Sequence, residues 1–270
     1  MFRHLSTPNL LITIIFCIAF QTRADLVVSS MRQSGAPLDP SIQNETDHAV
    51  QQAALWLAAH QRSDGSWGAA APSIRLTSLA LLALSAANQP EHSDARVRAT
   101  LWLDLHATNR CDGLGAHAWR LIALTRLLPD SPARRLAVTR CDALAQPFVE
   151  TAAPSDLRLW HEARVAAGLS QQVPAAVATE ADKAFARLSA LWLPALLSNA
   201  EAWDFSHLIN AHPGGQLLRD NTPLDWRRDL AQRLVNAQRN DPAGGGYWEA
   251  PTADEAIAET AFGLLALREL

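Results

Sequence analysis

Apolar and polar residues alternate along the chain in blocks that predict helices joined by short polar turns. The clearest block is Leu55–Leu84. Its first apolar segment ends at Gln61, a polar turn with Gly65 and Trp67 follows, and a second apolar segment completes the block. Apolar residues that recur at helical spacing indicate an amphipathic helix, and a glycine permits a tight turn. This block therefore predicts a helical hairpin.

The C-terminal region repeats the same order of elements. Leu230–Gln238 is predicted as the first helix, Gly244–Trp248 as the turn and Thr260–Leu267 as part of the second helix. The blocks Thr77–Leu84 and Thr260–Leu267 share their first threonine and a Leu-Leu-Ala-Leu ending. Two such matches at opposite ends of one chain indicate an internal repeat.

Apolar periodicity predicts helices along the rest of the chain, without sustained strand alternation. Asp47 can cap a helix that runs to about His60. The further helices are predicted at about 73–87, 93–107, 118–128, 133–146, 155–169, 178–198, 201–210, 224–238 and 253–269. Helix pairs recur about every 40 to 50 residues, in the range of helical repeat proteins. The predicted fold class is therefore all-α, with about five helical hairpins.

Composition agrees with one helical domain. Of the 270 residues, 49% are hydrophobic, and alanine and leucine dominate, which favours helix over strand. The net charge is −4 and no basic patch is present, so we expect no nucleic-acid partner. Residues 25–46 are polar and contain glycine and prolines, which predicts an N-terminal arm or linker before a repeat domain at 47–270.

The first 24 residues have the pattern of a signal peptide. Arg3 precedes an apolar run at residues 10–20, and Thr22 and Ala24 supply the small residues of a cleavage site. The run is short for a bilayer span. We therefore expect cleavage after Ala24 and a periplasmic or secreted protein. An uncleaved anchor is the alternative, and it is the only membrane contact that we expect.

Two cysteines, Cys111 and Cys141, remain after such cleavage. Because disulfides persist in oxidising compartments, a bridge between them is predicted, and two buried thiols are the alternative. Cys111 also lies near His106, Asp112 and His117, which are zinc-type ligands. We interpret this group as a turn beside histidines, and we expect neither a metal nor a cofactor.

The two turns resemble a known motif. Gln61…Asp64-Gly65-Ser66-Trp67 resembles the QW motif of the terpenoid cyclase and prenyltransferase repeat superfamily, as in squalene–hopene cyclases. Gln238…Gly246-Tyr247-Trp248 resembles a second copy with a longer gap. The resemblance implies an α/α toroid, which is an incomplete or small α/α barrel with concentric inner and outer helices. It also implies that glutamine, glycine and tryptophan tie the hairpins together, here Gln61, Gly65, Trp67, Gln238, Gly246 and Trp248.

The cyclase chemistry of that superfamily is not expected. Its class II cyclases protonate an alkene with an aspartate of a DxDD motif that precedes Thr-Ala. In this chain Glu259 falls at the last acidic position, but Ala256 and Ala258 replace the other two. A divergent terpenoid-processing enzyme that uses Glu259, together with Asp254 or Glu255, remains a third hypothesis.

Two polar clusters in the central region suggest other chemistry. Glycan sites combine aromatic rings, which stack on sugars, with carboxylates, which bind hydroxyls or catalyse cleavage. The candidates for lining a cavity are Trp160, His161 and Trp203. The candidates for catalysis are Glu162, Asp204 and His207. The alternative is that the tryptophans pack hairpins and the charges cap helices.

These observations lead to three functional hypotheses. The first is an exported, non-cyclase member of the repeat superfamily, whose central cavity binds a small molecule or a protein. The second is a hydrolase or lyase that acts on a glycan. The third is the terpenoid-processing enzyme. Whether the chain is an enzyme is left open by the sequence.

Overall fold

The computed structural model describes residues 38–69, 71, 73–106, 109, 111, 113–128, 130–190, 197–211, 217–219 and 222–270. The predicted signal peptide, residues 25–37 of the predicted arm and Asp112 lie outside these described residues.

The described part of the chain is mostly helical, which confirms the all-α prediction. The α-helices are α1 (Pro40–Ala59), α2 (Ile74–Ala87), α3 (Ser93–Leu105), α4 (Leu114–Leu127), α5 (Pro132–Ala145), α6 (Pro154–Ala166), α7 (Ala175–Ala190), α8 (Asn199–Ala211), α9 (Trp226–Ala237) and α10 (Ala253–Glu269). Short 3₁₀ helices occupy Pro90–His92 and Gln146–Thr151. The helices predicted after the first correspond to α2–α10, with most ends differing by a few residues. The helix predicted at 178–198 is described only as far as Ala190, and residues 191–196 lie outside the described residues.

Four short strands, which the sequence did not predict, form two antiparallel hairpins. Strand β1 (Leu217–Arg219) pairs with β2 (Thr222–Leu224), and β3 (Arg239–Asn240) pairs with β4 (Gly246–Tyr247). Strands of two or three residues are too short to show the alternation by which strands are recognised. The β3–β4 hairpin forms the turn of the C-terminal repeat.

Helix α1 begins at Pro40, so the predicted arm at 25–46 was too long. Asp39 is its N-cap, and the Asp39 carboxylate accepts a hydrogen bond from the backbone N–H of Ser41 at 2.9 Å. Proline is favoured in the first turn of a helix, because its missing N–H would be unsatisfied there. The proline that suggested a linker therefore starts the helix, and Asp47 lies inside it.

The helices pack in an alternating order. Even-numbered helices pack against one another, in the order α8, α10, α2, α4, α6. Odd-numbered helices pack against even-numbered neighbours: α1 against α2 and α10, α3 against α2 and α4, α5 against α4, and α7 against α6 and α8. Helix α9 packs against α1 and α10. Helix α2 is buried at every position from Leu76 to Ala87, as expected of a helix that has neighbours on all sides.

The N-terminal turn is held by its glutamine and its tryptophan. Trp67 is fully buried, and its indole N–H donates to the carbonyl of Leu57 in α1 at 2.8 Å. Its backbone N–H donates to the hydroxyl of Thr77 in α2. The Gln61 amide donates to the carbonyl of Ala95 in α3 at 2.8 Å, which joins this hairpin to the next helix.

The C-terminal turn makes the equivalent contacts. The Trp248 indole N–H donates to the carbonyl of Leu234 in α9 at 3.0 Å, and its backbone N–H donates to the Thr260 hydroxyl. The Gln238 amide donates to the carbonyl of Ala49 in α1 at 2.9 Å. The last repeat is thus joined to the first helix.

Glycine is required in both turns. Gly65 has a φ of +93°, and a Cβ there would lie 2.6 Å from the carbonyl oxygen of Arg98. A Cβ on Gly246 would lie 2.6 Å from the Gln238 side chain. At Gly65, left-handed backbone and the nearby backbone of Arg98 exclude other residues. At Gly246, a side chain would displace the Gln238 amide that binds Ala49.

A third unit, between α3 and α4, is held differently. Trp102 and His106 stack at 4.1 Å between ring centroids, as Trp56 and His60 do at 3.8 Å in α1. Arg120, which is fully buried, donates to the carbonyls of His106 and Asn109. An arginine in α4 thus binds the turn carbonyls of this unit.

The disulfide predicted between Cys111 and Cys141 is not formed, because both residues are buried thiols in the described structure. The Cys141 sulfur instead accepts a hydrogen bond from Nε of Arg120 at 3.3 Å. Burial raises the pKa of the Cys141 thiol, which therefore stays protonated.

Candidate functional site

Charged side chains from α4, α6, α8 and α10 meet in a group that we call the charged cluster. Its members are Arg126, Arg158, Glu162, Asp204, His207 and Glu269. Glu162, Asp204 and His207, the candidate catalytic residues from the sequence, therefore lie together.

Helical spacing brings two cluster residues together on each of two helices, α6 and α8. Arg158 and Glu162 are four residues apart in α6, and Asp204 and His207 are three apart in α8, so each pair shares a helix face. The Arg158 guanidinium donates to Glu162 Oε1 at 3.0 Å and to Asp204 Oδ1. Arg158 is only 5% exposed, whereas Glu162 and Asp204 are 29% and 23% exposed. The buried arginine therefore joins two partly exposed carboxylates.

His207 joins α8 to two further helices. Its Nε2 lies 3.3 Å from Oε2 of Glu162 in α6, and its Nδ1 lies 3.9 Å from Oε1 of Glu269 at the end of α10. The amide of Asn210, one turn along α8, donates to the backbone carbonyl of Glu269 at 2.9 Å. These contacts bring α6, α8 and α10 to one point.

The pKa values of the cluster residues are shifted in different directions. Burial alone lowers the pKa of His207, but hydrogen bonds with Glu162 and Glu269 outweigh it and raise the pKa to about 9. His207 is therefore protonated at neutral pH. Burial acts to raise the pKa of Glu162, but His207 and Arg158 together lower it. Burial raises the pKa of Asp204, against the effect of Arg158. Opposite shifts in two neighbouring carboxyl groups are typical of acid and base partners.

Aromatic rings lie beside the cluster. The ring of Trp203 stacks on His207 at 5.2 Å between centroids. It also packs against Trp119 of α4 at 5.0 Å and Phe262 of α10 at 5.9 Å. Trp119 and Phe262 are buried, whereas Trp203 is partly exposed. Trp203 is thus the candidate cavity residue that the structure places at the cluster.

Trp160 and His161 face a different group. The guanidinium of Arg164 lies 4.7 Å from the ring centroid of Trp160, and Arg164 pairs with Asp142 of α5 at 2.9 Å. Trp160 is buried, and its ring meets the edge of His161. Residues two apart in a helix point about 200° from each other, so Trp160 and Glu162 lie on different faces of α6.

The acids of the terpenoid hypothesis bind backbone groups. Glu259 accepts a hydrogen bond from the backbone N–H of Asn199 at the start of α8, at 2.9 Å. Asp254 accepts one from Ala69, and Glu255 forms a capping box with Thr252 at the start of α10. Contacts of this kind stabilise turns and helix ends.

Sequence reasoning missed Arg158, Arg126 and Glu269. A signal existed for Arg158, because it lies four residues before Glu162 and such pairs form ion pairs along a helix. No local signal marked Arg126 or Glu269, whose neighbours come from other helices.

In the described part of the chain, no group of three or more His, Cys, Asp or Glu residues is arranged to hold a metal ion. Within the same residues, none of the helices combines the length and the hydropathy that a bilayer span requires.

Comparison of the chain with family models, curated proteins and solved structures gives no match. The fold and the site together define a class: an all-α protein with a partly exposed ion-pair cluster between four of its helices.

Proposed function

We propose that this protein is an exported, toroid-shaped repeat protein, a non-cyclase relative of the terpenoid cyclases and prenyltransferases, that binds a ligand at the charged cluster. The proposal is carried by one observation. Six charged side chains from four helices converge beside Trp203, an aromatic ring that is itself partly exposed.

The toroid is supported by the order in which the helices pack. The even-numbered helices are neighbours in the series α8, α10, α2, α4, α6, and they would form the inner ring. The two ends of this series, α6 and α8, are joined by Arg158–Asp204 and Glu162–His207. The odd-numbered helices would form the outer ring, which Gln238 closes onto α1.

The relationship to the repeat superfamily is supported by the equivalent contacts of the two turns. In both, the indole N–H binds the carbonyl that lies four residues before the glutamine, at Leu57 and Leu234. Export is supported by the sequence of residues 1–24 alone.

Ligand binding is favoured because stability does not account for the cluster. Removing charges from water costs several kcal/mol for each ion, and a buried ion pair adds little net stability over apolar packing. Glu162, Asp204 and His207 nevertheless keep between 23% and 29% of their side chains exposed. Fixed charges that remain accessible beside an aromatic ring are typical of a site for a polar ligand.

The second candidate function is a hydrolase or lyase that acts on a glycan. It is favoured by the convergence of Glu162, Asp204 and His207 and by the opposite pKa shifts of the two carboxyl groups. In such an enzyme Asp204 would donate a proton and ionised Glu162 would act as the base or nucleophile. The terpenoid hypothesis has less support, because its acids bind backbone groups.

Melting curves with two sets of compounds test the proposal. The first set contains neutral and acidic oligosaccharides, and the second contains isoprenoid alcohols and acids. We expect compounds of one set to raise the melting temperature of the wild-type protein. Glu162→Gln should abolish this shift, because it removes one partner of both Arg158 and His207. The matched control is Glu180→Gln in α7, where the glutamate is 49% exposed and should leave the shift unchanged.

Each outcome of this experiment separates the hypotheses. Absence of a shift with both sets would contradict ligand binding at the cluster. Binding of an oligosaccharide without new reducing ends or unsaturated products supports a binding protein. Release of such products, lost in Glu162→Gln and kept in Glu180→Gln, would replace it with the glycan-active enzyme.

A further inference from the structure

The charged cluster contains three cations, and Arg126 is the one without an ion pair among the described residues. It lies in the last turn of α4, seven residues after Trp119. Seven residues are about two helical turns, so Arg126 and Trp119 share a face of α4. Trp119 packs against Trp203 and Phe262, which places Arg126 beyond the aromatic rings, on the side where α4 ends.

The carboxylates of the cluster bind the other two cations, and among the described residues Arg126 has no ion-pair partner. Arg158 is bound by Glu162 and Asp204, and His207 is bound by Glu162 and Glu269. Arg126 makes no hydrogen bond or ion pair with any described residue. Its side chain is only partly exposed, so its guanidinium is partly removed from water, and the carboxylates of Glu162 and Glu269 act on it without forming an ion pair.

The local charge supports the same conclusion. Burial lowers the pKa of Arg126, and the nearby carboxylates of Glu269 and Glu162 oppose this effect. Arginine remains charged under these conditions. Three cations and three carboxylates make the cluster neutral as a whole, so one added monoanion leaves it at −1. A doubly charged phosphate would leave a larger excess of negative charge beside three carboxylates.

We infer that the ligand of this site carries a carboxylate, which the guanidinium of Arg126 binds while the rest of the ligand lies toward Trp203. This inference rests on the proposed function. The planar fork of N–H donors in arginine matches the two oxygens of a carboxylate. The exposed part of Trp203 offers a surface for a sugar ring or an apolar chain.

Two pairs of probes, each an acid and its neutral counterpart, test the inference by calorimetric titration. The pairs are galacturonic acid with its methyl ester, and farnesoic acid with farnesol, which also separates a glycan from an isoprenoid source. We expect the acid of one pair to bind at least about tenfold more tightly than its neutral counterpart. Arg126→Gln should remove this preference and leave the weaker, neutral-type binding.

The matched control is Arg135→Gln in α5, because Arg135 is 62% exposed and pairs with Asp130 away from the cluster. It should keep the preference for the acid. Equal binding of acid and neutral probe by the wild-type protein would overturn the inference while leaving the proposed function intact. A preference that survives in folded Arg126→Gln would also overturn it. If no probe of either pair binds, the proposed function fails as well.

Discussion

Arg158 holds two carboxylates from different helices, and it does so with almost no exposure to solvent. An arginine suits this position because it stays charged and presents several N–H donors in one plane. Removing it would leave Asp204 without its ion-pair partner and Glu162 with His207 alone. Each charge of the cluster is therefore stabilised by the opposite charges beside it. The raised pKa of His207 is one consequence, because Glu162 and Glu269 stabilise its protonated form.

At the same scale, His207 should make stability depend on pH. Its pKa is raised from 6.5 to about 9 in the folded protein, so protonated His207 favours folding. This contribution is fully present below pH 6.5 and is lost as pH rises through 9. Since one pKa unit corresponds to about 1.4 kcal/mol, it amounts to at most about 3.5 kcal/mol.

Urea unfolding at pH 6, 8 and 10 measures this contribution. The wild-type protein should lose stability between pH 6.5 and 9 relative to His207→Gln. Parallel pH profiles for the two proteins would contradict the raised pKa. His161→Gln is a useful control, because burial lowers the pKa of His161 and its removal should not reproduce the effect.

At the scale of elements, the two turns work as clasps between helices. Each clasp donates an indole N–H to a carbonyl in the last turns of a helix, where the regular helical hydrogen bonds end. Trp67 and Trp248 supply an N–H donor from a buried ring, while Gln61 reaches α3 and Gln238 reaches α1. Pairs of helices are thus fixed both within and between repeats.

Replacing a clasp tryptophan should cost more than its packing area alone. Trp67→Phe removes the indole donor of the Leu57 carbonyl and leaves it only the 3.2 Å bond from the backbone N–H of His60. Trp248→Phe removes the indole donor of the Leu234 carbonyl. Each should therefore lower the free energy of unfolding by about 1–2 kcal/mol more than Trp102→Phe. Trp102 is equally buried but makes no indole hydrogen bond with the described residues. Equal losses in all three variants, measured by urea unfolding, would contradict the clasp.

Most of the secondary structure could be predicted because its causes are local. Apolar spacing set the helices, and glycine with tryptophan marked the turns. The start of α1 was missed because a proline fits both a linker and the first turn of a helix. The sequence also contains a third repeat signal, which is a Leu-Trp pair with a histidine four residues after the tryptophan. It occurs at Trp56–His60 and at Trp102–His106.

The site was predictable only where helical spacing reveals it. Glu162, Asp204 and His207 could be selected from their spacing and type. Arg158 contacts Asp204 across 46 positions of the chain, and such a contact depends on which helix faces meet. The spacing of apolar residues does not show which helix faces meet. For the same reason, the sequence could not show that Trp160 faces Arg164 instead of the cluster.

At the scale of the whole molecule, the proposed toroid and its site depend on the junction between α6 and α8. In the proposed toroid these helices are the two ends of the inner series, so their side chains both close the ring and form the site. If the junction is weak, the ring is open there and the cluster does not form a site.

A double-mutant cycle on Arg158→Gln and Asp204→Asn, followed by urea unfolding, tests this junction most directly. We predict a coupling free energy of at least about 1.5 kcal/mol, as expected for a charged hydrogen bond with a buried donor. The control cycle, Arg134→Gln with Asp130→Asn, removes a pair whose aspartate is 49% exposed and should give about 0.5 kcal/mol. A coupling between Arg158 and Asp204 no larger than that of the control would contradict the closed ring and the site proposed within it.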